Sequence, residues 1–191
     1  AVGWALCFLA EYDTERNPLK MTPELLPVVH QVQSLCKGLK YADSVTLDFH
    51  KMGRGHYPGS AFIVNRRSDL QYLARKVEDT PYFADADSRR DPALFTLETS
   101  RPGLGPYTVM ASLNGIGMQG WQMLVAYSLE LADRLKRRLE QLDYCVVLNK
   151  DTPGASVCWW VLPKGRDAKA IFERLVAGQL PLDEANRYMA E

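Results

Sequence analysis

Lys51 is the residue of this chain best placed by its neighbours to do covalent chemistry. It closes the run Ala42-Asp43-Ser44-Val45-Thr46-Leu47-Asp48-Phe49-His50-Lys51, and Gly53, Gly55, Tyr57, Pro58, Gly59 and Ser60 follow. Val45 to Phe49 alternate apolar and polar side chains, as a strand does. The lysine therefore stands where a strand gives way to a Gly/Pro-rich loop, beside a histidine. The strand is a rigid base and the loop leaves room for a ligand. A primary amine in that setting is a candidate to form an imine with an aldehyde cofactor. Apolar neighbours such as Phe49 and Met52 are expected to lower its pKa and favour the neutral amine. Elsewhere, a dipeptide such as His50-Lys51 would be an ordinary surface pair; its position raises it.

Two glycine patterns compete for attention. Gly115-Ile116-Gly117-Met118-Gln119-Gly120 has the spacing of a dinucleotide fingerprint. Helix precedes it where a strand is required, so it reads as a helix–helix junction. Gly103-Leu104-Gly105 precedes a helix, where backbone N–H groups are able to hold a phosphate; taken alone it reads better as a plain interdomain turn. His30 and His56 read as structural or solvated. No Ser-His-Asp arrangement and no cluster with metal spacing is found, so no metal is expected.

The elements that must position Lys51 follow from periodicity. Residues 2–9 read as a short buried strand. Asn17-Pro18 marks a turn, and Thr22-Pro23 opens a helix whose apolar face is Leu25, Leu26, Val29, Val32, Leu35, Cys36 and Leu39. Val45–Phe49 and Ser60–Val64 are strands, and Arg66–Lys76 is a short helix. Residues 77–92 read as a surface loop or flap, and Leu94–Glu98 as extended. Helices follow over Tyr107–Ile116 and Gln119–Leu142. The second is amphipathic, with Leu124, Leu129, Leu131, Leu135 and Leu139 on or near one side. Strands at Val146–Leu148 and Val157–Leu162 and helices at Ala168–Ala177 and Asp183–Met189 close the chain. Strands alternating with helices, then a helical pair, then an α+β tail predict an α/β domain over 1–120 leading into a smaller α+β domain over 121–191.

Composition sets the outer bounds. The 191 residues carry 23 Lys+Arg and 23 Asp+Glu, for a formal net charge of zero, which gives no basic surplus for nucleic acid. No apolar run is long enough for a transmembrane helix. Cys7, Cys36, Cys145 and Cys158 are scattered in apolar settings, with no CxxC pair, and read as reduced core thiols of a cytoplasmic protein. The apolar opening Ala1–Ala10 lacks the basic flank of a signal peptide.

Asp43-Ser44-Val45-Thr46-Leu47-Asp48-Phe49-His50-Lys51 resembles the cofactor-lysine motif of the group II pyridoxal-phosphate-dependent amino acid decarboxylases. The similarity continues through Ser60–Val64 and resumes at Phe95-Thr96-Leu97-Glu98-Thr99-Ser100-Arg101. Leu113, Gly117, Gly120 and the long helix also fit. The resemblance implies part of the aspartate-aminotransferase-type (fold type I) fold, with the end of a large, mostly parallel-sheet domain and the start of a small C-terminal α+β domain. It implies decarboxylation of an L-amino acid on pyridoxal 5'-phosphate, with Lys51 forming the internal aldimine and His50 lying near the phosphate. Asp48 stands where several relatives have Asn, and an acid there would repel phosphate. Ser100, Arg101, Gly103 and Gly105 would approach the active site at the interface of a homodimer, and Tyr82 is a candidate proton donor, set against a plain packing role beside Pro81.

The chain also departs from the family pattern. The Asp that holds the pyridinium nitrogen would immediately precede Ala1, and the upstream phosphate turn and ring-stacking histidine are not present. The chain is therefore expected to be the C-terminal portion of an enzyme more than twice as long, with its missing N-terminal portion as a partner and little activity by itself. An aldehyde synthase or carbon–carbon lyase on the same fold, a catalytically silent structural piece, and a helical interaction module over 119–142 remain open at this point.

Overall fold

The computed structural model describes residues 2–57, 59–76, 92–96 and 102–190. In chain order, a 3-10 helix over Val2–Leu9 precedes helix α1 (Leu26–Lys37), a 3-10 turn (Gly38–Tyr41), strands β1 (Ser44–Asp48) and β2 (Ser60–Val64), and 3-10 turns at Arg67–Tyr72 and Pro92–Phe95. Helix α2 (Leu104–Glu140), strands β3 (Cys145–Val147) and β4 (Trp159–Val161), and helices α3 (Ala168–Val176) and α4 (Leu182–Ala190) complete it. The contacts divide the chain into two compact units. The first joins residues up to Ala5 with Lys37–Gln119, and the second joins Leu6–Cys36 with Gly120–Glu191.

In the first unit β1 and β2 pair antiparallel, with Ser44 opposite Val64 and Asp48 opposite Ser60. Among the described residues both strand pairs are antiparallel, and the parallel sheet expected for the large domain is not among them. Residues 2–9 form a 3-10 helix instead of the expected strand. A short apolar run does not distinguish the two by pattern. A strand also needs a partner for its backbone groups, and no described strand pairs with this one. Trp4, Ala5 and Leu9 are nonetheless buried, so the apolar character of the run is used. Leu94 and Phe95, expected in an extended Leu94–Glu98, belong instead to a 3-10 turn over Pro92–Phe95, and Leu97 and Glu98 lie outside the described residues.

The second unit is built on α1 and the later half of α2. Pro27 lies in the first turn of α1, which begins at Leu26, later than the Thr22-Pro23 signal. Leu25 N–H bonds to Thr22 O across an isolated turn ahead of it. Leu25, Val29 and Val32 are buried as expected, whereas Leu35 and Leu39 are exposed. On α2 the buried stripe is Trp121, Val125, Leu129, Ala132 and Lys136, at helical spacing. Of the expected leucines only Leu129 belongs to it. Leu131 and Leu135 are exposed, because they lie round the helix from that stripe. Phe8 stacks on Trp121 at 5.0 Å and 7°. The buried Lys136 keeps its ammonium satisfied by donating to Thr152 O (2.8 Å) and Lys150 O (3.4 Å). Asn17, at φ 43°, turns the chain before α1; its side chain accepts from Tyr12 Oη (2.7 Å) and Met21 N (2.8 Å).

Helix α2 breaks at Gly117 (φ 68°, ψ 170°), a left-handed conformation that glycine adopts at little cost. The junction expected from the Gly115–Gly120 pattern is therefore a kink. No helix among the described residues is long and apolar enough to cross a membrane.

Candidate active site

The end of β1 and the loop after it bring Lys51, Asp48, His50 and Ser60 together. One residue past the C-terminal end of β1, Phe49 N–H still bonds to Gly59 O at 2.8 Å, so the hairpin stays paired beyond the strands themselves. Lys51 N–H then bonds to Asp48 O at 2.9 Å, a tight turn that swings the lysine side chain back over the aspartate. Lys51 Nζ donates to Asp48 Oδ2 at 2.9 Å, and Ser60 Oγ donates to Asp48 Oδ1 at 2.9 Å. Asp48 and Ser60 face one another because they are register partners across the hairpin.

The electrostatics differ from the expectation of a lowered lysine pKa. The Asp48 carboxylate, bonded to Lys51 Nζ, holds the lysine pKa above its ordinary value, with desolvation a smaller opposing influence. Lys51 and then Ser60 hold the Asp48 carboxyl well below the usual carboxylate range. The lysine side chain is 42% exposed, so Phe49 and Met52 do not bury its amine. As it stands the amine is an ammonium in an ion pair, reachable from solvent.

His50 is oriented by its Nδ1, which lies 3.2 Å from Gly59 O. A carbonyl only accepts, so this contact puts a proton on Nδ1, and in the neutral form of the ring Nε2 is then the accepting nitrogen. The Tyr57 ring lies against the imidazole, with centroids 3.6 Å apart.

The loop itself is held by distant groups. Trp4 Nε1 donates to Lys51 O at 2.8 Å, and the Trp4 ring meets Phe49 edge-on at 4.8 Å and 71°. Ser112 Oγ donates from α2 to Gly53 O at 3.0 Å. Gly53 is enclosed: a Cβ there would stand 2.3 Å from Phe49 O and 2.4 Å from Trp4 Cζ2. Met52 and Arg54 flank it at φ 60° and 54°, left-handed conformations that cost non-glycine residues energy and are sustained by these surrounding bonds.

Gly103 and Gly105 lie at the N-terminal end of α2, in the same unit. Gly105 is buried, and its carbonyl comes within 4.0 Å of where a Cβ on Gly59 would be, so this helix end packs beside the loop that follows Lys51. Ser100, Arg101 and Tyr82 lie outside the described residues. No cluster of potential metal ligands is present among the described residues. Ser60, Trp4, Tyr57 and Ser112 are the members of the site that sequence reasoning left out. Ser60 had a signal, since an antiparallel hairpin sets it opposite Asp48. Trp4 and Ser112 had none, being far away in sequence.

These residues suit one part of an aldehyde cofactor. They provide an accessible primary amine on a braced strand end, with an imidazole and a helix N-terminus in the same unit. An L-tyrosine decarboxylase of Enterococcus faecium is 29% identical over 117 residues, covering 58% of this chain and 18% of that protein. A probable L-aspartate decarboxylase of Archaeoglobus fulgidus is 30% identical over 101 residues, covering 53% of this chain and 25% of that protein. A probable L-tyrosine/L-aspartate decarboxylase of Methanosphaerula palustris is 31% identical over 101 residues, with 53% and 25% covered. The chain is similar to amino acid decarboxylases. The similarity covers about half of the chain and a quarter or less of each of these three relatives. No family model matches the chain. No solved structure matches it.

Proposed function

We propose that this chain belongs to a pyridoxal-phosphate-dependent decarboxylase acting on an L-amino acid, with Lys51 as the amine that carries the cofactor. The observation that carries the reading is the braced Lys51 itself, ion-paired to Asp48 at a strand end and clamped from behind by Trp4, in a chain similar to amino acid decarboxylases. In this reading the fold is of the aspartate-aminotransferase type, working as a homodimer with the active site at the interface. Groups for the ring nitrogen and most of the phosphate are supplied by sequence beyond this chain, which spans a quarter or less of the relatives described above.

When bound, pyridoxal 5'-phosphate supplies an electron sink for the pair left behind as the substrate carboxylate departs as CO2. This chain contributes positioning and proton control. Asp48 Oδ2 stabilises the proton on Lys51 Nζ, so the amine becomes nucleophilic only when that proton leaves. Asp48 is too weak a base to keep it, since its own proton affinity is depressed. Trp4 and Ser112 fix the loop on either side of Met52, which limits the freedom of Lys51 to its side chain. His50 presents Nε2 as an acceptor, and the α2 N-terminus carrying Gly103 and Gly105 offers backbone donors of the kind that attract phosphate. Ser100 and Arg101 at the interface, and Tyr82 as proton donor, are part of the same proposal.

Borohydride reduction of the complete protein to which this chain belongs, in the presence of pyridoxal phosphate, followed by peptide mapping, tests it. Because its ion pair disfavours the free amine, Lys51 should react more slowly than other exposed lysines unless a site recruits the aldehyde. Preferential pyridoxyl labelling of Lys51, removed in Lys51→Arg, is the expected result. Labelling spread evenly over surface lysines, with Lys51 no better than the rest, would refute the assignment.

A further inference from the structure

Lys136, in the second unit, is a lysine held inside the fold without a countercharge. The residue is only 8% exposed. Its Nζ donates to Thr152 O at 2.8 Å and to Lys150 O at 3.4 Å. Both acceptors are neutral carbonyls, so they occupy donors but cancel no charge. An ammonium has three donors, and one is left over. Among the described residues no carboxylate pairs with Lys136. Asp133, one turn earlier on α2, is paired with Arg137 instead. A charge buried without an opposite charge costs free energy that a bound anion would recover. Lys136 also lines a cleft of about 220 Å³ between α1, α2 and the loop joining β3 to β4. Val28 and Leu129 give that cleft an apolar wall, and the exposed Lys150 and Asp151 stand on the loop side. An apolar cavity of about 150 Å³ takes up benzene, so this volume suffices for one small ring with a polar head.

We propose that this cleft is a binding site for a small organic monocarboxylate. The carboxylate accepts a charge-assisted bond from the remaining N–H of Lys136, and the body of the ligand lies against Val28 and Leu129. The charges on the wall select a single negative charge. Asp133 is offset by Arg137, which leaves Lys136 and Lys150 against Asp151. That balance matches a carboxylate better than a phosphate dianion. A purely structural tie between α2 and the β3–β4 loop would use the same two carbonyl bonds and leave the third donor idle, so ligand binding is what separates the two. The site belongs to a different unit from Lys51 and does not depend on the cofactor assignment.

The test is methyl NMR on the complete protein to which this chain belongs, labelled at valine and leucine methyls and titrated with benzoate in a low-salt buffer. The expected result is a saturable shift of the Val28 and Leu129 methyls. Benzamide, which has the same shape and no charge, should bind about tenfold more weakly or worse. Phenyl phosphate as the dianion should bind no more tightly than benzoate. Lys136→Met, which keeps an unbranched side chain and removes the charge, should weaken benzoate by the same factor. The comparison of benzoate with benzamide needs no variant, and it decides the matter even where Lys136→Met does not fold. Val28 and Leu129 methyls that stay still, benzamide as good as benzoate, phenyl phosphate tighter than benzoate, or benzoate binding that survives Lys136→Met would overturn the proposal.

Discussion

Replacing Gly53 by alanine tests whether the loop after Lys51 is held by close packing or merely happens to be compact. The added methyl would stand 2.3 Å from Phe49 O and 2.4 Å from Trp4 Cζ2, each roughly 1 Å inside ordinary contact. Phe49 O has little room to move, because it belongs to the chain between the paired strands and accepts from Gly55 N–H at 3.3 Å. The Gly53 backbone must therefore shift off Phe49 O, and the Trp4 ring must swing as well. That breaks the 2.8 Å bond from Trp4 Nε1 to Lys51 O and the edge contact with Phe49. Overpacking, one lost hydrogen bond and one lost aromatic pair together destabilise by about 2–4 kcal/mol. For a chain of this size that lowers the melting temperature by roughly 4–16 °C. Thermal denaturation followed by near-ultraviolet circular dichroism reads the shift, and hydrogen exchange at Phe49 and Gly55 localises it to this loop. Gly115→Ala is the matched control. It lies in α2 with nothing within 4 Å of the new methyl, so it should stabilise by about 0.5–1 kcal/mol. A Gly53→Ala protein that melts with the parent, or a Gly115→Ala protein equally damaged, would show that the enclosure of Gly53 is not what holds Lys51.

The Lys51–Asp48 pair gives a pH signature. The Asp48 carboxyl is depressed in the folded state, so its contribution is present above the unfolded value of about 3.9 and is lost as pH falls through the depressed one. Lys51 is raised, so its contribution is complete below the unfolded value of about 10.4 and is lost as pH rises through the raised one. The melting-temperature difference between the parent and Asp48→Asn should therefore be flat between about pH 4 and 10 and shrink on both sides; a difference that stayed unchanged well outside that window would contradict the pairing. The same variant should raise pyridoxyl labelling of Lys51 near neutral pH, since it frees the amine. In the second unit, Asp167 caps α3 by accepting from Lys169 N and Ala170 N, both at 3.1 Å. Asp167→Ala should cost about 0.5–2 kcal/mol by denaturant titration, and a neutral result would remove the cap from the account of that helix.

Much of the local architecture was legible. Ser60–Val64 occurs where the residues predict it, and Gly117 breaks the long helix where the glycine cluster predicts a junction. Helices α3 and α4 begin and end within a residue or so of the pattern. The apolar opening was misread because eight apolar residues fit a buried strand and a buried 3-10 helix alike, and a missing ladder partner decides between them. The α2 leucines misled for a related reason. Leucine content marks a helix but does not say which angular sector faces the core, and here Trp121, Val125 and Ala132 take it. The cysteines were read as core thiols, yet Cys7 and Cys158 are exposed and only Cys145 is buried.

At the candidate site the division is sharper. Sequence alone singled out Lys51, its histidine neighbour, the strand before it and the glycine loop after it, because those are properties of consecutive residues. It reversed the sign of the lysine's pKa shift, because apolar neighbours in sequence are not a burial. Only the folded chain could set Asp48 against Lys51 Nζ, bring Ser60 across the hairpin, and carry Trp4 and Ser112 to the backbone on either side of Met52. Spacing encodes what neighbours along the chain will do; which distant groups supply charge, hydrogen bonds and enclosure depends on how the elements pack, and no local pattern contains that.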